Sequence, residues 1–551
     1  MPDATNLNPR RQIWFPLTIA LALVAGILIG MRWMPRVTGE AGPRAGMGGS
    51  SGKVEELLRY VENKYVDEVD REALVDKAIE SILEELDPHS TYIPASSFAE
   101  TEESMRGNFD GIGVEFMVLD DTVVIVTPLP GGPSDLAGIL PGDRIVTVED
   151  TLVAGIDISN DDITRYLKGP KGSKVRVGIR RENENDLREF TITRDRIPIK
   201  SVDAGYMLED KIGYIKINRF SATTYQEFGD ELRDLAERQG MEDLIIDLRY
   251  NPGGYLQEAT RMLNQLFEDR DRLLVYTDGR TVGRSDYETN GQNGFTIDDI
   301  AVLINEGSAS ASEIMAGAIQ DWDRGVIVGR RSFGKGLVQE QYELRDGSAL
   351  RLTVAHYFTP SGRSIQKSYE DRESYDDDLK QRLDSGELSG SDQTAPSDST
   401  EFQTAGNRTV YGGGGITPDV FVPVDSIELD TDYLSLRQGI NEFVFRYAAR
   451  KQPELDRFEN LDDFRRNFRI TDLLLNRYLA FADDKEFEYD ESKFPQMRVP
   501  LMRELKARIA RQRFGEEAFY IILNETDPVV REAARLLRNE VPLSAMKASD
   551  R

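Results

Sequence analysis

Cysteine is absent from the 551 residues, and only two histidines, His89 and His356, occur. The first absence removes disulfides, thiolate nucleophiles and thiolate metal sites, and leaves the redox compartment open; the second leaves little material for imidazole chemistry. Positive charge is in the minority. Against 97 Asp and Glu stand 68 Lys and Arg, a net charge of −29, and an acidic chain lacks the clustered cations that a nucleic-acid partner requires. Neither a His-Glu-x-x-His pattern nor a calcium loop is found, so metal catalysis is not expected.

What is present begins at the N-terminus, where Arg10 and Arg11 precede an uncharged run from Gln12 to Met31. A spanning helix needs ~20 apolar residues. Trp14 and Trp33 fall near the ends of the run, where amphipathic rings favour the interface. The expectation is a cytoplasmic tail over 1–12, an uncleaved transmembrane anchor over 13–31 and a linker over 32–52, with the remaining chain outside. A cleaved signal peptide is the alternative.

Beyond the linker the reading is a mixed α/β multidomain chain. Residues 53–102 have helical apolar spacing, interrupted near 67–70, and 103–190 turn to short strand-like runs broken by Gly and Pro. Over 194–368, completed by 413–428, strands and helices alternate, which implies a mainly parallel sheet with functional loops at strand ends. Strands are expected at 212–220, 244–248, 301–305 and 326–329, and helices at 224–239, 255–267 and 312–322. Residues 369–412 are polar and acidic and read as a disordered insert. The extension 429–551 is charged and helical, with one candidate helix at 528–538, and its role is either self-assembly or docking of an adaptor.

Chemistry concentrates in two segments. Asn305-Glu306-Gly307-Ser308-Ala309-Ser310-Ala311-Ser312-Glu313 lies where a strand gives way to a helix, and Phe333-Gly334-Lys335-Gly336-Leu337-Val338-Gln339 follows soon after. A serine hydroxyl needs a proton acceptor, and a lysine serves only when desolvation keeps its amine neutral. Phe333, Leu337 and Val338 offer apolar cover. If 335–339 is extended, Lys335, Leu337 and Gln339 share one face, and the Gln339 amide can hold the amine without adding charge. The Ala311 N–H, at the helix start, can face an oxyanion, and Gly253 in Asn251-Pro252-Gly253-Gly254 is the expected second donor. Two other readings stand beside this one. Ser310-x-x-Glu313 is also a capping box, and 329–335 fits half of a phosphate loop, although Gly336 stands where Ser or Thr should be.

Together with Leu86-Asp87-Pro88-His89-Ser90-Thr91-Tyr92, Asp247-Leu248-Arg249-Tyr250 and Thr359-Pro360-Ser361-Gly362-Arg363-Ser364-Ile365, these segments resemble the C-terminal processing, or tail-specific, serine peptidases. The resemblance implies that Ser310 is the nucleophile, Lys335 the general base and Gln339 the residue orienting the lysine, with no metal and no cofactor. It also implies hydrolysis of proteins near their C-termini; with the N-terminal anchor, the expected place is the inner membrane of a bacterial envelope with the catalytic part in the periplasm. His356 stands where similar proteins usually carry Arg or Lys. Gly111-Ile112-Gly113-Val114, with Pro133-Ser134 and Pro141-Gly142-Asp143, resembles a PDZ domain, whose glycine-rich turn holds a terminal carboxylate while the peptide adds as a strand. Expected partners are therefore proteins or peptides with free C-termini, and the competing reading is a catalytically silent PDZ scaffold or adaptor at the membrane.

Overall fold

The computed structural model describes residues 51–538 apart from 182, 183, 185, 293 and 391–399. The cytoplasmic tail, the anchor and nearly all of the linker expected from the sequence lie outside those residues. No described helix is long and apolar enough to cross a membrane. The chain divides into two compact units between Ala78 and Ile79. In the first, the helix Ser51–Lys64 stops at the acidic interruption, and Arg71 pairs with Glu55 and Glu62, each at 3.0 Å. Everything below concerns the second unit.

Its centre is a six-stranded sheet among the described residues, in the order Val202–Glu209, Ile212–Ile217, Asp243–Asp247, Ile300–Ile304, Val326–Gly329, Val420–Phe421. Only the first pair is antiparallel; every later pair is parallel. Continuous runs such as Leu244-Ile245-Ile246 and Ala301-Val302-Leu303-Ile304 suit strands buried on both faces. One face carries the helices Thr224–Arg233, Leu256–Leu266 and Ala311–Asp321, whose Phe228, Met262, Leu263 and Met315 are fully buried. The other is covered by Pro528–Arg538, which inserts Val530, Ala533 and Ala534 against Ile245, Ala301 and Val328. The strands Asp243–Asp247, Ile300–Ile304 and Val326–Gly329 are neighbours and run the same way, so the loops leaving them, 248–255, 305–310 and 330–336, emerge side by side. That is where a site is expected in such a sheet.

A second sheet is built on the long strand Ala349–Phe358, flanked by Leu337–Glu343, Thr91–Ile93 and Arg270–Asp278. The strand-rich module forms a separate antiparallel sheet in which Val114–Leu119 is an edge, paired among the described residues only with Thr122–Pro128.

Residues 369–412 differ from expectation. In place of disorder they carry the helices Arg372–Asp376 and Asp378–Asp384 and the strands Glu401–Gln403 and Thr409–Tyr411, with 391–399 outside the described residues. Such a composition cannot bury enough surface alone. Here the core supplies the partners: Arg382 donates to the carbonyls of Arg331 (2.7 Å) and Ser332 (3.3 Å), and Glu387 pairs with Arg331 (2.8 Å) and Arg382 (2.9 Å).

Candidate active site

Ser310 sits at the turn between Ile300–Ile304 and the helix Ala311–Asp321, with φ 55° and ψ −114°. A left-handed φ at a residue bearing a Cβ is strained, and such strain persists only where the surroundings enforce it. The loop 248–255 and the strand Ala349–Phe358 do so. Asn251 takes the Ala309 N–H (3.0 Å) and the Ser312 hydroxyl (2.9 Å) on its main-chain oxygen, and the Tyr357 hydroxyl donates to the Ser310 carbonyl at 3.1 Å. Gly253, at φ 100°, backs directly onto the serine; a Cβ there would come within 2.7 Å of Ser310 Cβ, so no other residue fits.

The Ala311 N–H, first in its helix, meets no acceptor among the described residues. The Gly253 N–H, expected to be equally free, is taken by Asn251 Oδ1 at 2.9 Å. That departure follows from the turn: a short amide side chain two residues back readily closes on the N–H of a glycine.

Beneath this loop lies a buried charge network. Asp247 accepts from Tyr214 Oη (2.7 Å), Lys216 Nζ (3.3 Å) and Arg249 Nη2 (2.6 Å), and Arg249 reaches Asp527 of the C-terminal extension at 2.9 Å. Burial pushes the Asp247 carboxyl up, but Arg249 and Lys216 outweigh it and hold the group well below the usual range.

Lys335 enters from the loop after Val326–Gly329. Its Nζ donates to Gln339 Oε1 at 2.9 Å, and burial, with help from the Arg351 charge, lowers the amine to about 8. Leu337 is buried and Phe333 half-buried, as the apolar cover required. A β-bulge between Val338 and Gln339 departs from simple alternation and re-aims the amide. The other end of that amide donates to the carbonyl of His89.

The residue joining the two halves is Glu313, fully buried on the first turn of the helix. Its Oε2 accepts the N–H of Ser310 (2.8 Å) and of Lys335 (2.9 Å), while Oε1 accepts from Gly334 N (2.7 Å) and Ser332 Oγ (2.5 Å). Two nitrogens bound to one oxygen are at most about 6 Å apart, so the serine and lysine backbones are neighbours although 25 residues separate them in sequence. Burial raises the carboxyl despite these four donors. In the sequence Glu313 reads only as the acidic half of a capping box. The reach-back to Ser310 N is indeed there, but its link to the lysine loop had no signal in the spacing.

His89 is partnered on both ring and backbone, whereas His356 is exposed on Ala349–Phe358, opposite Leu337 and Asp278. In the strand-rich module Ile112 is buried, its carbonyl receives Ser134 N (3.1 Å) and Oγ (2.7 Å), and Gly113 adopts φ 69°. Gly111 to Val114 thus form the connection, turning at Ile112 and Gly113, that leads into the edge strand Val114–Leu119.

Comparison with known proteins agrees with this architecture. The model of peptidase family S41 matches residues 211–372, a PDZ domain model matches 124–181, and a family of unknown function matches 432–515. A PDZ domain joined to an S41 peptidase core is therefore the class. The carboxy-terminal-processing protease of Bartonella bacilliformis (strain ATCC 35685 / KC583 / Herrer 020/F12,63) is 35% identical over 319 residues, 56% of this chain and 71% of that protein. The chain belongs to the carboxy-terminal processing protease family of S41 peptidases. Carboxy-terminal processing protease CtpB of Bacillus subtilis (strain 168) is 35% identical over 318 residues; these are 57% of this chain and 65% of CtpB, less than two thirds of that relative's length. Among solved structures, a photosystem II D1 C-terminal processing protease matches with 28% identity over 68% of this chain and 87% of that one, at a TM-score of 0.35.

Proposed function

We propose that the chain is a serine endopeptidase that cleaves proteins near their C-termini with a Ser310–Lys335 dyad. The observation that carries this reading is the shared carboxylate: one oxygen of Glu313 binds the N–H of both Ser310 and Lys335, beside an amine that burial lowers to about 8. In the forward step Ser310 Oγ bonds to the scissile carbonyl carbon and its proton passes to Lys335 Nζ. The ammonium then returns that proton to the departing amine as the C–N bond breaks; water next adds to the acyl carbon with Lys335 accepting its proton, and that proton passes to Ser310 Oγ as the ester C–O bond breaks. Gln339 Oε1 takes one N–H of the lysine and so aims its lone pair. The Ala311 N–H supplies the first oxyanion donor. Gly253 becomes the second only by exchanging Asn251 Oδ1 for the substrate oxygen, which makes assembly of the hole part of substrate binding.

Gly111 to Val114 are assigned to the substrate's terminal carboxylate, with the peptide added along Val114–Leu119. The sequence run over 13–31 is assigned as the anchor that holds the catalytic part in the periplasm. Cleavage of an unfolded protein by wild type, Ser310→Ala and Lys335→Ala tests the dyad: both substitutions are expected to abolish turnover, and hydrolysis surviving in either places the chemistry elsewhere. Amidating the substrate C-terminus is expected to slow cleavage at least tenfold, and equal rates remove the role of Gly111 to Val114. A mature N-terminus beginning beyond Met34 overturns the anchor.

A further inference from the structure

An arrangement with no assigned role lies on the far side of Gln339 and begins in the segment expected to be disordered. Tyr375, on the helix Arg372–Asp376, is 6% exposed, and its hydroxyl lies 2.6 Å from His89 Nε2. The two rings meet edge to face with centroids 5.7 Å apart, and Phe333, two residues before Lys335, lies 6.2 Å from each. Lys367 lies over this cluster, 4.2 Å from the Phe333 ring and 4.0 Å from that of Tyr375. It also donates to the Tyr375 carbonyl at 3.2 Å and pairs with Asp378 at 3.3 Å. The helix is therefore fastened by contacts that do not involve the Tyr375 hydroxyl.

Burial and the charge of Lys335 bring the His89 imidazole down to about 4. It is neutral over the working range, so one ring nitrogen carries a hydrogen and the other accepts, and the bond to the Tyr375 hydroxyl forms with either group as donor. The turn that holds His89 is tied by Asp87, whose Oδ1 takes the N–H of His89 and of Ser90, both at 2.8 Å. The His89 carbonyl then receives Gln339 Nε2. A carbonyl has no proton to give, so only the NH2 end of the amide can face it, and the oxygen end is left toward Lys335. With the amide reversed, Lys335 would meet a donor in place of an acceptor.

We infer that Tyr375 is a positioning residue for Lys335: by anchoring His89 it fixes the carbonyl that orients Gln339, whose oxygen in turn holds the amine. The inference rests on the Ser310–Lys335 reading. Because Tyr375 acts only through this chain of contacts, its loss lowers the rate of the chemical step and leaves substrate binding alone.

Tyr375→Phe keeps the ring and the Lys367 contact and removes one hydroxyl. In the full-length enzyme it is expected to lower kcat about fivefold to tenfold, the effect of one hydrogen bond, with KM within about twofold of wild type and a thermal unfolding midpoint lowered by only a few degrees. His89→Ala is expected to lower kcat as well, and the double variant to be no slower than the worse single one, since both break the same chain. A kcat for Tyr375→Phe within about twofold of wild type overturns the proposal, as does a double variant whose loss is the product of the two single losses. Tyr375→Phe decides alone if His89→Ala does not fold. Lys335→Ala, assayed alongside, separates the two readings: turnover that survives in it removes the dyad itself, whereas an inactive Lys335→Ala beside an unimpaired Tyr375→Phe removes only the relay.

Discussion

The fold makes the charged form of Lys335 costly, which is what its proposed role as base requires. Its amine sits near 8 in the folded chain and returns to its ordinary value of 10.5 when unfolded, the shift being caused first by burial. The folded state thus binds fewer protons than the unfolded one between those values, so this group's contribution to stability rises with pH from about 8 to about 10.5 and stays at its minimum below 8. Lys335→Met should therefore be inactive yet more stable than wild type at pH 7, by on the order of 1–3 kcal/mol, with the difference vanishing near pH 10.5. Urea midpoints at the two pH values check it. The same titration governs chemistry: labelling of Ser310 by a serine-directed acylating reagent should increase about tenfold per pH unit below 8 and level off above it, and pH-independent labelling would contradict the assigned base. At Ser310 the left-handed backbone is a second local cost. Ser310→Gly relieves it and Ser310→Ala does not, so denaturant unfolding should find the Gly variant more stable by about 1 kcal/mol, even though glycine ordinarily destabilises.

The helix Ala311–Asp321 does more than follow the proposed nucleophile, because its Glu313 reaches back to one loop and across to another. Four donors converge on its two oxygens. Glu313→Gln retains one oxygen and turns an NH2 toward donors, stranding two of them in a buried site; the expected cost is about 2–4 kcal/mol, with a fall in kcat of at least tenfold, measured by thermal unfolding and peptide hydrolysis. The elements themselves were largely legible. Val326–Gly329 and Pro528–Arg538 occupy the expected residues because each is a run whose own pattern decides it: four consecutive buried positions for the strand, and a narrow apolar stripe for the helix. The strand expected over 212–220 ends at Ile217, with one further bond, from the Asn218 N–H to the Ser201 carbonyl, beside the antiparallel neighbour. The helix expected over 224–239 passes into a π turn at Asp234–Arg238. The insert was illegible for a different reason: its ordered part is held by Arg382, Glu387 and Tyr375 against loops elsewhere in the chain, and pairings of that kind leave no period.

At the scale of the molecule, the C-terminal extension touches both the PDZ module and the core. Phe445 closes a small apolar cluster with Leu119, Val124 and Val126 of the module, flanked by ion pairs of Arg446 with Asp120 and Arg511 with Glu115, each at 3.2 Å. On the core side Tyr520 donates to Asp203 (2.9 Å), Asn524 to Tyr206 (2.8 Å), and Asp527 pairs with Arg249 of the loop bearing Gly253. Truncating Phe445 to alanine should cost about 3 kcal/mol at that contact, seen as faster hydrogen exchange over residues 123–126, with little change in the central sheet; uniform exchange throughout would mean the cluster is not a distinct support. Residue types and their order were enough to determine the family and the parallel core, and to single out Ser310, Lys335 and Gln339 as candidates, because chemistry and periodicity are local properties of a chain. Tertiary structure alone decided that Glu313 binds both halves of the site, that Asn251 occupies the Gly253 N–H, and that Tyr375 stands behind Gln339 through His89. Those are hydrogen bonds between segments far apart in sequence, and their partners are chosen by where the sheet delivers its loops, which no spacing along the chain encodes.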